Sequence, residues 1–279
     1  MSLKQLLADV SAGDHSACAS CPSSPRHFPG AAFGVSCREH GVDWQTSGTA
    51  VSMMIVRDPA GTTPATTGWL CFVCNSSNPT DRTAQHAFSL WRAAVALSDD
   101  AEKACRYLGD HYWTNAALHG SDTSRLERAR RCCARVLRDQ IEALSPRVVI
   151  ASGVQAATSL HELGLLNARW CDIRTGFDKG AHLERVRRPS GATEVYCTYH
   201  TSATGVNCEV SKLYSNSTDK LLAQRRAALS DADAFDRFLG QYRPESAEGR
   251  GMRVLLLHWL DIGEGIRRAH AANRTSASP

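Results

Sequence analysis

Three polar side chains in this 279-residue chain stand where short apolar runs stop. Asp58 follows Val51-Ser52-Met53-Met54-Ile55-Val56, Asn115 lies in Tyr112-Trp113-Thr114-Asn115-Ala116-Ala117-Leu118, and His200 follows Glu194-Val195-Tyr196-Cys197-Thr198-Tyr199. A carboxylate, a planar amide and an imidazole are groups that move protons, orient water and read the polar edge of a ligand. Any one of them alone reads more readily as a cap or a solvated loop residue; three together at strand ends make a candidate site. A second set has metal-ligand spacing. Cys18-x2-Cys21 and Cys37-x2-His40 follow the pattern of a structural zinc site. Arginines form two further clusters, Arg125, Arg128, Arg130, Arg131, Arg135 and Arg138 between Ser124 and Gln140, and Arg185, Arg187 and Arg188. They suit phosphates, and they equally suit a solvated helix face and a surface loop.

The elements that would carry these residues follow from periodicity. Val51–Val56, Tyr112–Leu118, Arg147–Gly153 and Glu194–Tyr199 read as four buried strands. Helical spacing covers residues 2–12, Thr83–Leu97, a long helix opened by Asp122 or Ser124 and running to Leu144, Val154–Leu163, and in the tail roughly 210–229, 231–241 and 254–271. Residues 13–48 are rich in Gly, Pro, Ser and Cys without a period, and 62–82 also read as loop. Apolar strands alternating with helices predict an α/β fold, a three-layer α/β/α sandwich with a central four-stranded mainly parallel sheet. Such sheets bind ligands outside the carboxyl ends of their strands, where Asp58, Asn115 and His200 fall. The expected organisation is one domain over 1–279, with a cysteine-rich metal-binding segment at 13–48 and a C-terminal helical extension at 209–279.

Composition narrows the class. The net charge is +4 and the pI about 8.5, with 43% hydrophobic and 22% charged residues and a mean hydropathy of -0.29. No apolar run approaches the ~18–20 residues of a membrane span, and Met1–Leu7 turns polar too soon for a secretory signal. The expectation is a cytoplasmic monomer without membrane contact. Eleven cysteines in that compartment argue for metal ligation or simple burial rather than a disulfide scaffold.

Between about Val51 and Val206 the chain resembles the uracil-DNA glycosylase superfamily, with the pieces in the family's order. Val56-Arg57-Asp58-Pro59-Ala60-Gly61 is similar to the first motif, written GQDPY in one branch and GEAPG in the branch that carries an iron-sulfur cluster. Gly68-Trp69-Leu70-Cys71-Phe72 resembles the segment that supplies an aromatic platform, and Trp113–Ala117 the strand whose Asn reads uracil. Cys133–Ile141 with Leu144–Gly153 looks like the helix-strand signature of the cluster-bearing branch, and Tyr199-His200-Thr201-Ser202 like the last motif, usually HPS or HPT. Thr201 stands in the place of that proline. Ala60 stands where one branch uses Tyr to exclude thymine.

The resemblance implies a uracil pocket of Arg57, Asp58, Phe72, Asn115 and His200, with Asp58 and His200 catalytic. A base must be flipped out of the stack before its glycosidic bond can be reached, and Phe72 would stack on it. Asn115 would accept from N3–H and donate to O4, a pattern that cytosine reverses. His200 would donate to O2 as negative charge builds there, and Asp58 would orient the attacking water. Ser202, Thr204 and Val206 would contact DNA, with Val206 as an apolar plug in the vacated stack, and the Ser124–Gln140 arginines would hold phosphates. The metal expectation is zinc at Cys18, Cys21, Cys37 and His40, with an iron-sulfur cluster drawing on Cys18, Cys21 and alternative ligands Cys74, His119 and Cys133 as its rival. Neither metal is needed for the chemistry. The expected partner is uracil-containing DNA and the expected product uracil. Alternatives are a glycosylase for hypoxanthine or T:G mispairs, a uracil-DNA binding protein with little turnover, and an unrelated nucleotide-binding α/β module.

Overall fold

The computed structural model describes residues 2–12, 14–17, 21, 36–37, 42–43, 50–57, 82–108, 110–118 and 123–276. Its centre is a five-stranded sheet of order β4-β3-β5-β7-β6, made of β3 (Ser52–Val56), β4 (His111–Asn115), β5 (Val148–Ser152), β6 (His182–Arg188) and β7 (Gly191–Thr198). The first four in that order are parallel, and β6 pairs antiparallel with β7 at the edge. A two-stranded antiparallel pair, β1 (Ser36–Cys37) and β2 (Val42–Asp43), precedes them. Every residue of β3, β4 and β5 is buried, as expected of strands covered on both faces.

The expected α/β sandwich is therefore present, with one strand more than the four predicted. The addition is β6, whose sequence HLERVRR reads as a basic surface loop. Its exposure alternates along the strand, because an edge strand can send one face to water, here Leu183, Arg185 and Arg187, while Arg188 is half-buried and donates to Ile141 O. The remaining helices are α1 (Leu3–Ala12), α2 (Arg82–Leu90), α3 (Ala101–Leu108), α4 (Thr123–Leu144), α5 (Val154–Glu162), α6 (Trp170–Ile173), α7 (Asn216–Ala227), α8 (Asp233–Gln241) and α9 (Ala247–Ser276). A π-helical turn, Trp91–Ala96, continues α2. α1, α4 and α5 pack together as one group, and α2, its π-turn and α9 as another. His15 Nε2 donates to Asp139 of α4 at 3.0 Å while its Nδ1 accepts from the Ala17 amide, tying the segment after α1 to the first group.

α9 is no peripheral extension of the fold. Met252, Val254, Leu255, Leu256, Leu257, Trp259 and Ile262 are all buried and join the same core as the sheet. A helix apolar nearly all round is a core helix. Among the described residues no helix is long and apolar enough to cross a membrane.

Candidate active site

The chain leaves β3 for β4 in one direction along the sheet and then crosses back past β3 to β5. The ends of β3 and β5 therefore flank a topological switch point, the place where open α/β sheets bind ligands. Asn115 and His200 stand on either side of it.

Asn115 is the last residue of β4 and pairs in register with Val56. The zipper continues one step further, since the Ala116 amide donates to Val56 O at 2.8 Å and the Ala117 amide to Arg57 O at 3.0 Å. This fixes the chain on both sides of Asn115. The residue is 1% exposed, and its Oδ1 has no hydrogen-bond partner among the described residues. A buried amide oxygen left unpaired costs on the order of 1–3 kcal/mol. A ligand N–H at that atom would recover it.

On the other side, β7 ends at Thr198 and delivers Tyr199 and His200. The Gly153 amide donates to Thr198 O at 2.8 Å. Gly153 has φ +92, and a Cβ there would stand 3.3 Å from the His200 Cβ. Only glycine combines that backbone with so close an approach. The Ser202 amide donates to His200 Nδ1 at 3.1 Å. An amide can only donate, so Nδ1 is the bare nitrogen and the neutral ring carries its proton on Nε2. His200 is thus set up as a hydrogen-bond donor through Nε2. Three inter-strand steps separate β4 from β7, about 14 Å at the usual spacing. That span accommodates a planar base gripped at opposite edges by two side chains.

The end of β7 is braced from α9. His258 is fully buried; its Nε2 donates to Phe177 O at 2.6 Å, and its Nδ1 accepts from the Thr198 hydroxyl at 2.8 Å. Burial pushes its pKa down to about 4. Phe177, Trp170 and Tyr199 pack edge to face beside it. Gly153, Thr198 and His258 do not stand out from sequence as site residues. A glycine closing an apolar strand is a visible signal for the first, whereas the partnership of Thr198 and His258, sixty residues apart, has no local signature.

Two expectations are corrected. Val206 is not an apolar plug: it is 0% exposed and packs against Gly251 of α9, where a Cβ would come within 2.8 Å of its Cγ1. The segment after His200 is not an open loop. Ser202 Oγ accepts from the Gly205 amide and Ser202 O from the Val206 amide, which starts a helical turn that turns Val206 inward. Arg130 is likewise unavailable to phosphates. It is fully buried, bound by Glu127 (2.6 Å), Glu162 (2.8 Å) and Ser159 (3.2 Å), and these carboxylates hold its guanidinium charged. Arg128, Arg131, Arg135 and Arg138 are exposed along α4. Ser202 is half-buried and Thr204 exposed, beside the end of β7.

Asp58, Phe72, Cys18, His40, Cys74 and His119 lie outside the described residues, as do the side chains of Cys37 and Arg125. Arg57 follows β3 and is half-buried, Cys21 is half-buried, and Cys133 is buried on α4 with its Sγ accepting from the Leu118 amide at 3.4 Å. Among the described residues no group of three or more His, Cys, Asp or Glu could hold a metal ion.

Comparison with known families gives one match, to the uracil DNA glycosylase superfamily over residues 60–223. It covers more than half of the chain, including Phe72, Asn115 and His200, and begins just after Asp58-Pro59. Comparison with curated proteins gives no match.

Proposed function

Because the chain belongs to the uracil DNA glycosylase superfamily, a family of DNA glycosylases, we propose that it hydrolyses the N-glycosidic bond of uracil in DNA, releasing uracil and leaving an abasic site. The observation that carries this reading is the pairing of opposite hydrogen-bond roles across the switch point. Asn115 offers a buried carbonyl oxygen with no partner among the described residues, and His200 carries its proton on Nε2. Uracil needs that pair, an acceptor for N3–H at one edge and a donor to O2 at the other.

The chemistry then runs as a dissociative hydrolysis. The nucleotide is flipped out and its base stacked on Phe72. As the C1′–N1 bond breaks, its electron pair moves onto the base, and the His200 Nε2–H steadies the charge gathering on O2. A donor placed for that charge acts on the transition state more than on the ground state. The sugar is left as an oxocarbenium-like cation, which the Asp58 carboxylate stabilises. Asp58 also orients the water that attacks C1′ and takes its proton. Ser202 and Thr204 contact the backbone near the flipped nucleotide, and the exposed arginines of α4 hold phosphates further off. Arg57 lines the pocket beside Asp58.

Zinc at Cys18, Cys21, Cys37 and His40 would organise the N-terminal segment and take no part in catalysis. Elemental analysis of purified protein finding zinc and no iron supports that set. Iron with the visible absorption of a thiolate-bound cluster would replace it with the set drawing on Cys74, His119 and Cys133.

The deciding experiment uses oligonucleotides containing uracil, hypoxanthine or a T:G mispair, treated with protein and then alkali. Strand breakage at uracil is expected, and its loss in Asn115→Ala. Preferential cleavage at hypoxanthine or T:G would reassign the substrate. Tight binding to uracil DNA without breakage would make the protein a binder rather than an enzyme.

A further inference from the structure

We propose that His86 and Glu248 form a clamp that positions His200 by holding the carbonyl of Thr201, and that this clamp supplies the restraint a proline at position 201 would otherwise give. The inference rests on the glycosylase reading, which makes His200 the donor to the base.

His86, on α2, is fully buried. Its Nδ1 lies 3.0 Å from Thr201 O; a carbonyl only accepts, so Nδ1 carries a proton and donates. On the other side of the ring, Nε2 lies 2.7 Å from Glu248 Oε1 on α9, and Arg82 approaches the same oxygen at 3.7 Å. Tyr242 meets the ring edge-on. Thr201 is itself 1% exposed, and its hydroxyl reaches Thr83 O at 3.5 Å. Both ties run from the residue next to His200 to the first turns of α2.

A buried histidine joining two helices is usually no more than a satisfied core residue. Here its bond lands on the backbone immediately after the donor histidine. Proline fixes its own φ and confines the preceding residue, here His200, to extended backbone. Threonine does neither. The imidazole ring of His200 is oriented through Ser202, so a swing of the Thr201 peptide would carry both residues away from the base. With Thr198 held by His258, the clamp fixes the His200 segment from the C-terminal side as well.

The test compares wild type, His86→Ala, Thr201→Pro and the double variant. Three quantities are read: the single-turnover rate on a uracil oligonucleotide, the affinity for the same DNA, and amide hydrogen exchange at Ser202 and Gly205. His86→Ala should slow the rate by about 10- to 100-fold, as small misplacements of a reacting group do, while affinity changes by less than about threefold. The Ser202 and Gly205 amides should exchange faster. Thr201→Pro in the His86→Ala background should restore most of the rate and protection, which a mere loss of core packing would not allow. A His86→Ala rate within about threefold of wild type, or no rescue by proline with unchanged exchange at Ser202, would overturn the clamp. If His86→Ala does not fold, Glu248→Gln takes its place with the same expectations. If wild type excises no base from any oligonucleotide, the glycosylase reading fails, and the exchange data still decide whether His86 holds the segment.

Discussion

Acidification should weaken this fold through His258, by an amount that follows from its burial. The ring is enclosed between Thr198 and the Phe177 carbonyl, and burial lowers its pKa from 6.5 to about 4, against the opposing pull of the hydrogen bond to Phe177 and of the Asp178 charge. The unfolded chain therefore takes up the proton first as pH falls, while the folded chain resists it. Stability from this group is complete above pH 6.5, declines from there to about pH 4, and changes no further below. The gap of about 2.5 pKa units corresponds to about 3 kcal/mol in all, with about 2 kcal/mol lost already at pH 5. That is a sizeable part of the ~5–15 kcal/mol that holds a typical domain. Burial also keeps the His111 pKa well below 6.5, which adds a loss of the same sign. Urea unfolding at pH 7, 6, 5 and 4, for wild type and His258→Gln, isolates the contribution of His258. Glutamine can still donate to a carbonyl and accept from a hydroxyl but does not titrate, so the variant's stability should fall less steeply between pH 6.5 and 4. Equal slopes in the two proteins would refute the argument, since carboxylates titrating in the same range contribute alike to both.

Gly153→Ala should cost about 1–3 kcal/mol from the disfavoured backbone and slow uracil excision as well, because the added methyl presses on His200; melting and single-turnover assays check both. Arg130→Met should lower stability by about 1–3 kcal/mol, a modest loss because Glu127 and Glu162 are partly exposed and can rehydrate. Its DNA affinity should keep the wild-type salt slope, and a reduced slope would contradict the buried assignment. Replacing Arg128, Arg135 and Arg138 together with Gln should instead flatten the dependence of log K on log salt by about one unit for each phosphate no longer neutralised, while leaving the urea midpoint nearly unchanged. An unaltered slope would mean that this face of α4 is simply solvated.

The strands and main helices are legible in the sequence because β3, β4 and β5 are buried on both faces and so read as unbroken apolar runs. β6 is not: its arginines and alternating exposure resemble a polar loop wherever apolar runs are the signal sought. Asn115 and His200 can be found because each sits where an apolar run ends. Val206 is misplaced because a sequence cannot tell an open loop from a helical turn begun by a serine cap, and that turn decides which way the side chain points. Arg130 is misplaced for a related reason. It is one of four charged residues in Glu127-Arg128-Ala129-Arg130-Arg131, and only the docking of α5, with Ser159 and Glu162, turns it into the interior. The supports of His200, namely His86, Glu248 and His258, lie far from it along the chain on both sides, and nothing in their local patterns hints at a common task.

The long helix α9 follows every strand of the sheet in the chain, yet it supplies His258 to Thr198 and Glu248 to His86. Chains emerge from the ribosome in order and begin to fold as they do. Until α9 is made, the segment around His200 lacks two of its braces and the sheet lacks part of its core. Catalytic competence would arrive only when the final helix docks. A chain truncated before α9 would lack both braces together with the core residues that the helix supplies, so it should lose excision outright rather than merely slow it.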